Sequence, residues 1–122
     1  MDTHLKKILL AEDDDGIRQV IKIILEQMGI SAVGVSSKAS LMQTVKERPF
    51  DLILLDVSII GGNGAEIAKE LKKDPFLADT PIFLLSANTF VDRLAKESGA
   101  DGFIEKPFSL EYFENTIRDF IK

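Results

Sequence analysis

Short apolar segments alternate along the chain with longer segments that mix apolar and polar residues. The apolar segments cover residues 8–11, 32–35, 52–55, 82–85 and 103–104. Most of them are apolar throughout, whereas a strand with one hydrated face would alternate apolar and polar residues. Pro81 stands just before the fourth segment, where a missing N–H is tolerated. The pattern predicts five strands in a sheet that is covered on both faces.

The segments between the apolar runs carry apolar residues at the spacing of one helix face. Before Gly29, a residue suited to ending a helix, these positions are Ile17, Val20, Ile21, Ile24, Leu25 and Met28. Four more helices are predicted, marked by Leu41 with Val45, by Ile67 with Leu71, by residues 91–98 before Gly99, and by Phe113, Ile117 and Phe120 on the inner face of residues 110–121. Ser37 and Ser109 are suited to cap the second and fifth helices.

The predicted elements form five repeats of a strand followed by a helix. Such alternation predicts a parallel sheet with right-handed crossovers and helices on both faces. Repeats, low-complexity tracts and linkers are absent, so residues 1–122 are predicted to form one domain. Ligands of such sheets bind beyond the carboxyl ends of the strands, and functional residues are expected there.

Composition narrows the possible functions. The net charge is −5 and no basic cluster occurs, which argues against direct binding of nucleic acid by this domain. The absence of cysteine excludes disulfides, thiolate metal sites and a cysteine nucleophile. The apolar runs are too short for a signal peptide or a membrane span, so a cytoplasmic protein without membrane contact is expected.

Polar residues collect directly after the predicted strands. They are Glu12, Asp13, Asp14 and Asp15 after the first strand, Asp56 after the third, Ser86 and Asn88 after the fourth, and Lys106 after the fifth. Carboxylates packed together repel one another, and a divalent cation relieves the repulsion. Oxygen ligands without histidine or cysteine favour magnesium or the similar manganese ion. A lysine and a hydroxyl can hold phosphoryl oxygens, and one carboxylate is left to act as the nucleophile.

The chain resembles the receiver domain of response regulators in two-component signalling over essentially its whole length. Four motifs carry the resemblance: "KILLAEDDDG", "DLILLDV", "FLLSA" and "GADGFIEKPF". Each motif alone is common, but here all four occur in order and at the expected spacing. The resemblance implies a flavodoxin-like (βα)5 fold, a doubly wound α/β sandwich with a five-stranded parallel sheet in the order 2-1-3-4-5.

The resemblance also implies roles at a phosphorylation site. Asp56 is the implied phosphoacceptor, and Lys106 and Ser86 assist it. The implied Mg2+ site, which Mn2+ also suits, consists of the carboxylates of Asp13 and Asp56, the main-chain carbonyl of Ser58 and, through water, Glu12. No other cofactor is implied.

The implied function is a phosphorelay switch. A sensor histidine kinase or a histidine phosphotransfer protein donates the phosphoryl group, and Ser86 and Phe103 then alter a face that binds an unknown downstream protein. The only catalysis implied is the domain's own phosphorylation and dephosphorylation. The bond between Lys106 and Pro107 resembles one that is usually cis in the family. The cognate kinase, the output, the oligomeric state, the lifetime of the phosphorylated form and the extent of the full protein stay open.

Three features depart from the family pattern. Glu12 takes the place of a commoner aspartate, which is expected to affect mainly the outer metal ligand. Ile60 replaces a usual proline, and the pair Gly61–Gly62 predicts a more mobile loop, although Gly64 is kept. The segment between Ser86 and Phe103 is slightly shorter than usual, which puts the family's partner surface around the fourth helix in question.

Simpler structural roles fit some of these residues. Asp14 and Asp15 are best explained by a helix N-terminus, where acidic side chains are favoured. A turn cap at Asp56, a solvated surface lysine at Lys106 and a core ring at Phe103 each explain one residue but not the set.

Three other functions fit the sequence less well than a receiver does. A pseudo-receiver without phosphorylation is disfavoured because the acidic, hydroxyl and lysine positions are all occupied. A flavin-binding domain needs a phosphate loop after the first strand, where "EDDDG" would repel phosphate. Phosphatases with an aspartate nucleophile typically carry a second aspartate two residues on, where this chain has Ser58. His4, the one histidine, is near the terminus, so the phosphoryl donor is expected to be another molecule.

Overall fold

The computed structural model describes residues 6–47 and 49–121, so His4 lies outside the described residues. The strands in chain order are β1 (Lys7–Ala11), β2 (Ser31–Val35), β3 (Leu52–Asp56), β4 (Ser58–Ile59), β5 (Gly62–Asn63), β6 (Ile82–Ser86) and β7 (Gly102–Glu105). The helices are α1 (Asp15–Gln27), α2 (Lys38–Thr44), α3 (Gly64–Lys72), α4 (Val91–Ser98) and α5 (Leu110–Phe120). Among the described residues no helix has the length and apolar character needed to span a membrane.

Five of the strands form one parallel sheet in the order β2-β1-β3-β6-β7. Without the short pair β4 and β5, this is the predicted order 2-1-3-4-5, and the predicted flavodoxin-like fold is confirmed. All five β3 residues are buried, because the sheet is covered on both faces. Leu52 and Leu54 pack on the side of α1 and α5, whereas Ile53 and Leu55 pack on the side of α2, α3 and α4.

The predicted helix ends agree with the structure. The Oγ atom of Ser37 accepts a hydrogen bond from the N–H of Ser40 at 3.1 Å, and that of Ser109 accepts one from Tyr112 at 3.0 Å. Asp14 caps α1 by accepting from the N–H of Ile17 at 2.8 Å, which supports the structural explanation for this residue. These caps satisfy N–H groups that the first helical turn leaves without a partner.

Three residues predicted on inner helix faces are more exposed than expected. Ile17 and Val20 are 37% and 54% exposed, since the first turns of α1 border an open groove beside Pro107. Phe120 is 40% exposed, but its ring contacts the buried ring of Phe83, so its predicted position on the inner face of α5 is only partly covered. It belongs to the last turn of α5, where its ring meets the ring of Phe83, edge to face at 4.6 Å between centroids.

A short hairpin, not predicted from the sequence, follows the end of β3. Strands β4 and β5 pair antiparallel around a turn in which Gly61 has φ +88°, a value that favours glycine. The carbonyl of Ile60 accepts a hydrogen bond from the N–H of Lys38 at 2.8 Å, which attaches the turn to the start of α2.

Candidate functional site

Strand pairing brings four of the predicted site residues to one edge of the sheet. Ala11 pairs with Leu55, so Glu12 follows its strand beside Asp56. Ser86 pairs with Glu105, so Lys106 continues β7 beside it. Asp56 and Ser86 are the last residues of their strands rather than the first residues after them. The parallel arrangement therefore gathers residues that lie far apart in the sequence.

Lys106 links two buried carboxylates. Its Nζ atom donates to Oε1 of Glu12 at 2.6 Å and to Oδ2 of Asp56. The side chains of Glu12 and Asp56 are 1% and 5% exposed, and that of Lys106 is 17% exposed. The alternative of a solvated surface lysine at position 106 is therefore wrong. One ammonium group serves two carboxylates in a region with little water.

Burial shifts the pKa values of Glu12 and Lys106. Burial, together with the neighbouring Asp56, raises the pKa of Glu12 to about 7, against the opposing effects of Lys106 and the N–H of Asp14. Burial by itself lowers the pKa of Lys106, but its bonds to Asp56 and Glu12 outweigh that effect and raise it. The lysine thus stays charged, while Glu12 takes up a proton near neutral pH.

Hydrogen bonds and close packing against Gly64 fix the backbone around Asp56. Its Oδ1 atom accepts a hydrogen bond from the N–H of Ser58 at 2.8 Å, and the carbonyl of Val57 accepts one from Gly64 at 2.8 Å. A Cβ atom at Gly64 would lie 2.2 Å from the carbonyl oxygen of Asp56, so only glycine allows α3 to begin so near the strand.

Ser86 presents a hydroxyl at the same edge. It is 6% exposed, and its Oγ accepts a hydrogen bond from the N–H of Asn88 at 2.9 Å. The hydroxyl proton is not used in that bond. Asn88 in turn accepts from the N–H of Phe90 at 2.7 Å, a turn-forming role that sequence reasoning had not assigned to it. An asparagine just after a strand is a recognisable signal for such a turn.

The remaining predicted residues lie around this edge. Asp13 is partly buried next to Glu12, and Ser58 is exposed in β4. Phe103 is partly buried and packs on the side of α2, α3 and α4. It pairs with Leu84, two residues before Ser86, so Phe103 and Ser86 share one face of the sheet. The bond between Lys106 and Pro107 is cis, as the resemblance implied.

The donor set fits a magnesium ion. Within the described part of the chain, no group of three or more histidine, cysteine, aspartate and glutamate side chains is arranged to hold a metal. Magnesium does not require one, because it keeps several waters and typically binds one or two carboxylates together with phosphate oxygens. Asp56 and Asp13 are the two carboxylates predicted for such a site, and Glu12 accepts from Lys106 and, at 3.1 Å, from the N–H of Asp14.

An open apolar groove of about 620 Å³ lies beside the site. Ile17 and Val20 of α1 form one side, Pro107 and Phe108 form the other, and Lys106 contributes to its lining. The ring of Phe108 stacks on the buried ring of Phe113 at 5.0 Å, which holds this wall in place. The groove places exposed apolar surface next to the charged cluster.

Comparison with known proteins identifies the family. Residues 8–118 match the model of the response regulator receiver domain. The phosphate regulon transcriptional regulatory protein PhoB of Pseudomonas aeruginosa is 37% identical over 106 residues, which is 85% of this chain and 46% of that protein. The chain therefore spans about half the length of the relatives that it matches.

Solved structures share the fold of this chain. The chemotaxis protein CheY4 of Vibrio cholerae has a TM-score of 0.89 at 25% identity, with 96% of this chain and 99% of that chain covered. The receiver domain of sensor histidine kinase PA1611 from Pseudomonas aeruginosa, whose structure has a magnesium ion in its active-site cleft, has a TM-score of 0.87 at 22% identity and covers 97% and 98%. The sequence match over residues 8–118, together with the fold and the clustered site, shows that the chain belongs to the response regulator receiver domains of two-component systems.

Proposed function

We propose that residues 1–122 form a receiver domain that accepts a phosphoryl group on Asp56 in a Mg2+-dependent reaction. The observation that carries this proposal is the buried contact of Lys106 with the Asp56 carboxylate. A carboxylate held at the end of a central strand, beside a fixed cation and a hydroxyl, is arranged for charge stabilisation during phosphoryl transfer.

In the proposed step, a carboxylate oxygen of Asp56 attacks phosphorus and forms an acyl phosphate. The bond from phosphorus to the donor breaks, and its electron pair stays on the donor, which is an imidazole nitrogen when the donor is a phosphohistidine. Lys106 moves from the carboxylate to a phosphoryl oxygen, and the Ser86 hydroxyl donates to another. Water later attacks phosphorus, so that the carboxylate is released with inorganic phosphate. The domain thereby catalyses only its own phosphorylation and dephosphorylation.

The proposed magnesium ligands are Asp13, Asp56 and the main-chain carbonyl of Ser58, with Glu12 acting through water. When bound, the ion neutralises the phosphoryl oxygens and the carboxylates. The outer position of Glu12 is taken from the family resemblance, and its two oxygens accept from Lys106 and from the N–H of Asp14. The protein's own contribution is to hold the carboxylates together before the ion arrives.

The proposed donor is a sensor histidine kinase or a histidine phosphotransfer protein. A protein donor must bring its phosphoryl group to Asp56, and the groove of Ile17, Val20 and Phe108 offers apolar contact area next to Lys106. The downstream partner is proposed to be another protein, because the domain has a net charge of −5 and no basic cluster for nucleic acid.

Ser86 and Phe103 are proposed to carry the signal away from the site. They share one face of the sheet, so movement of the hydroxyl toward phosphate changes the space beside the ring. Burial of a phenylalanine side chain stabilises by about 1.5–3 kcal/mol, enough to bias two conformations tenfold or more. Phe103→Ala is expected to keep phosphorylation of Asp56 and to weaken the amide shift changes that it causes in α4 and α5. A full pattern of shift changes in this variant would leave Phe103 a core residue only.

Labelling with a small phosphodonor tests the function. The protein is incubated with acetyl phosphate and Mg2+, and intact mass is recorded. We expect one phosphoryl adduct that disappears when the divalent ion is chelated. A protein that remains unmodified, or one that is modified equally without a divalent ion, would overturn the proposal.

A further inference from the structure

Arg18 on α1 reaches back to the acidic end of β1. Its guanidinium donates through Nη1 to the main-chain carbonyl of Glu12 at 2.9 Å, and through Nη2 to the exposed carboxylate of Asp15. The side chain is 22% exposed, whereas that of Asp15 is 90% exposed. The hydrogen bond to Glu12 is therefore better shielded from solvent than the ion pair with Asp15. An exposed ion pair contributes little to stability by itself.

Gly34 on the edge strand β2 makes room for this arginine. A Cβ atom at Gly34 would lie 3.1 Å from Cδ and 3.3 Å from Cγ of Arg18. Glycine within a strand weakens it and often marks a close approach by another group. Here the approaching group is the stem of Arg18, which crosses β2 where a side chain would otherwise stand.

The main chain of Glu12 is held from two sides. Its N–H donates to the carbonyl of Val35, the neighbour of Gly34, at 3.0 Å, and its carbonyl accepts from Arg18. With the backbone fixed, the carboxylate of Glu12 points to Lys106 and to the N–H of Asp14. A change in the position of Arg18 therefore alters the turn that carries both Glu12 and Asp13.

We propose that Arg18, seated over Gly34, is a positioning residue that sets the turn of Glu12 and Asp13 for magnesium binding and phosphorylation. The inference rests on the proposed function of that turn. Arg18 touches no reacting group in this scheme and acts through the main chain of Glu12. Its fork of N–H donors explains why arginine stands there, because a lysine carries the same charge without that geometry.

Two substitutions test this arrangement, one at Arg18 and one at Gly34. Arg18→Lys keeps the charge, so that a change in Mg2+ affinity reports geometry rather than long-range attraction. Gly34→Val keeps the arginine at position 18, but the added side chain competes for the space that the arginine stem occupies. Valine favours strands, so Gly34→Val is expected not to lower the free energy of unfolding. A residue with a purely structural role would not combine undiminished stability with weaker metal binding.

The measurements are the amide shifts of residues 12–14 without metal, the Mg2+ dissociation constant by NMR titration, and the rate of labelling by acetyl phosphate. We expect Arg18→Lys to weaken Mg2+ binding about tenfold, since groups that orient metal ligands have effects of this order, and Gly34→Val to weaken it by a smaller factor. Both variants should shift the amides of residues 12–14. The double variant should resemble Arg18→Lys alone, because both changes act through one guanidinium.

Gln19→Ala is the matched control, since Gln19 is the exposed neighbour of Arg18 on α1 and should leave all three readouts at parental values. Parental Mg2+ affinity and parental amide shifts in both single variants would overturn the inference. An effect of Gly34→Val that is equally large in the parent and in the Arg18→Lys variant would also overturn it. A parent that binds no Mg2+ and takes no label would instead contradict the proposed function, so the two failures are distinguishable.

Discussion

The two edges of the parallel sheet use carboxylates in different ways. At the amino edge, Oδ2 of Asp101 accepts from the N–H of Ile82 at 2.8 Å and from Nζ of Lys72 at 2.8 Å. The Asp101 side chain keeps 38% of its surface exposed. At the carboxyl edge, Glu12 and Asp56 are almost fully buried and share the ammonium of Lys106.

The difference separates a stabilising site from a reactive one. Asp101 caps the start of a strand, meets a lysine and remains partly hydrated, so its charge is well accommodated. The side chains of Glu12 and Asp56 are shielded from solvent, and the single positive charge of Lys106 does not balance two ionised carboxylates. Burying charge without full compensation costs stability, and such costs concentrate at functional sites. A further cation at the carboxyl edge relieves that cost, whereas the amino edge has no need of one.

The largest expected difference between the edges concerns labelling. Asp56→Asn should abolish the phosphoryl adduct formed with acetyl phosphate and Mg2+, because the amide lacks a nucleophilic oxygen of comparable strength. Asp101→Asn, at the opposite edge, should be labelled like the parent and should differ only in stability. Intact mass spectrometry distinguishes the two. Undiminished labelling of Asp56→Asn would remove the proposed phosphoacceptor.

Removal of the lysine at each edge is expected to have the next largest effect. Lys106→Met leaves two buried carboxylates without their shared cation and should lower the free energy of unfolding by about 3 kcal/mol at pH 8. Lys72→Met breaks a more hydrated pair and should cost about 1 kcal/mol or less. Urea denaturation without metal measures both values. Similar decreases in the free energy of unfolding for the two variants would contradict the proposed contrast between the two edges of the sheet.

Mg2+ should raise the stability of the protein only by binding at the carboxyl edge of the sheet. At a concentration 100 times the dissociation constant, a ligand of the native state adds about 2.7 kcal/mol to the free energy of unfolding. Thermal melts of the parent should therefore shift upward with Mg2+, and Asp13→Asn should reduce the shift. Asp101→Asn serves as the control and should retain it. A melting temperature insensitive to Mg2+ would argue against a metal site.

The last expected effect is a pH dependence of the metal-free protein. Since the pKa of Glu12 is raised from 4.5 to about 7, the folded state holds a proton that the unfolded state has released in this range. The free energy of unfolding should therefore decrease as pH rises from 4.5 to about 7 and level off above it. Glu12→Gln should remove this slope, whereas Asp101→Asn should keep it. Identical slopes in the parent and Glu12→Gln would show that Glu12 does not titrate as expected.

Much of the fold follows from local patterns in the sequence. The unbroken apolar run of residues 52–55 indicated a strand buried on both faces, and β3 is buried on both. Ser37 and Ser109 carried recognisable capping signals. Periodicity was less informative about burial, since Ile17 and Val20 fit the helix pattern of α1 but border an open groove. Periodicity identifies the apolar face of a helix, but not how far neighbouring elements cover it.

The sequence by itself determined which residues follow the strands, and therefore which side chains meet at the carboxyl edge. Parallel strands start and end on the same sides of a sheet, so Glu12, Asp56 and Ser86 had to converge once five strands were recognised. Only the tertiary structure decided how they interact. That Lys106 bridges two carboxylates, that burial raises the pKa of Glu12, and that Gly34 leaves room for Arg18 all depend on distances between residues remote in the chain. Such contacts arise from packing in three dimensions, which no local pattern of residues specifies.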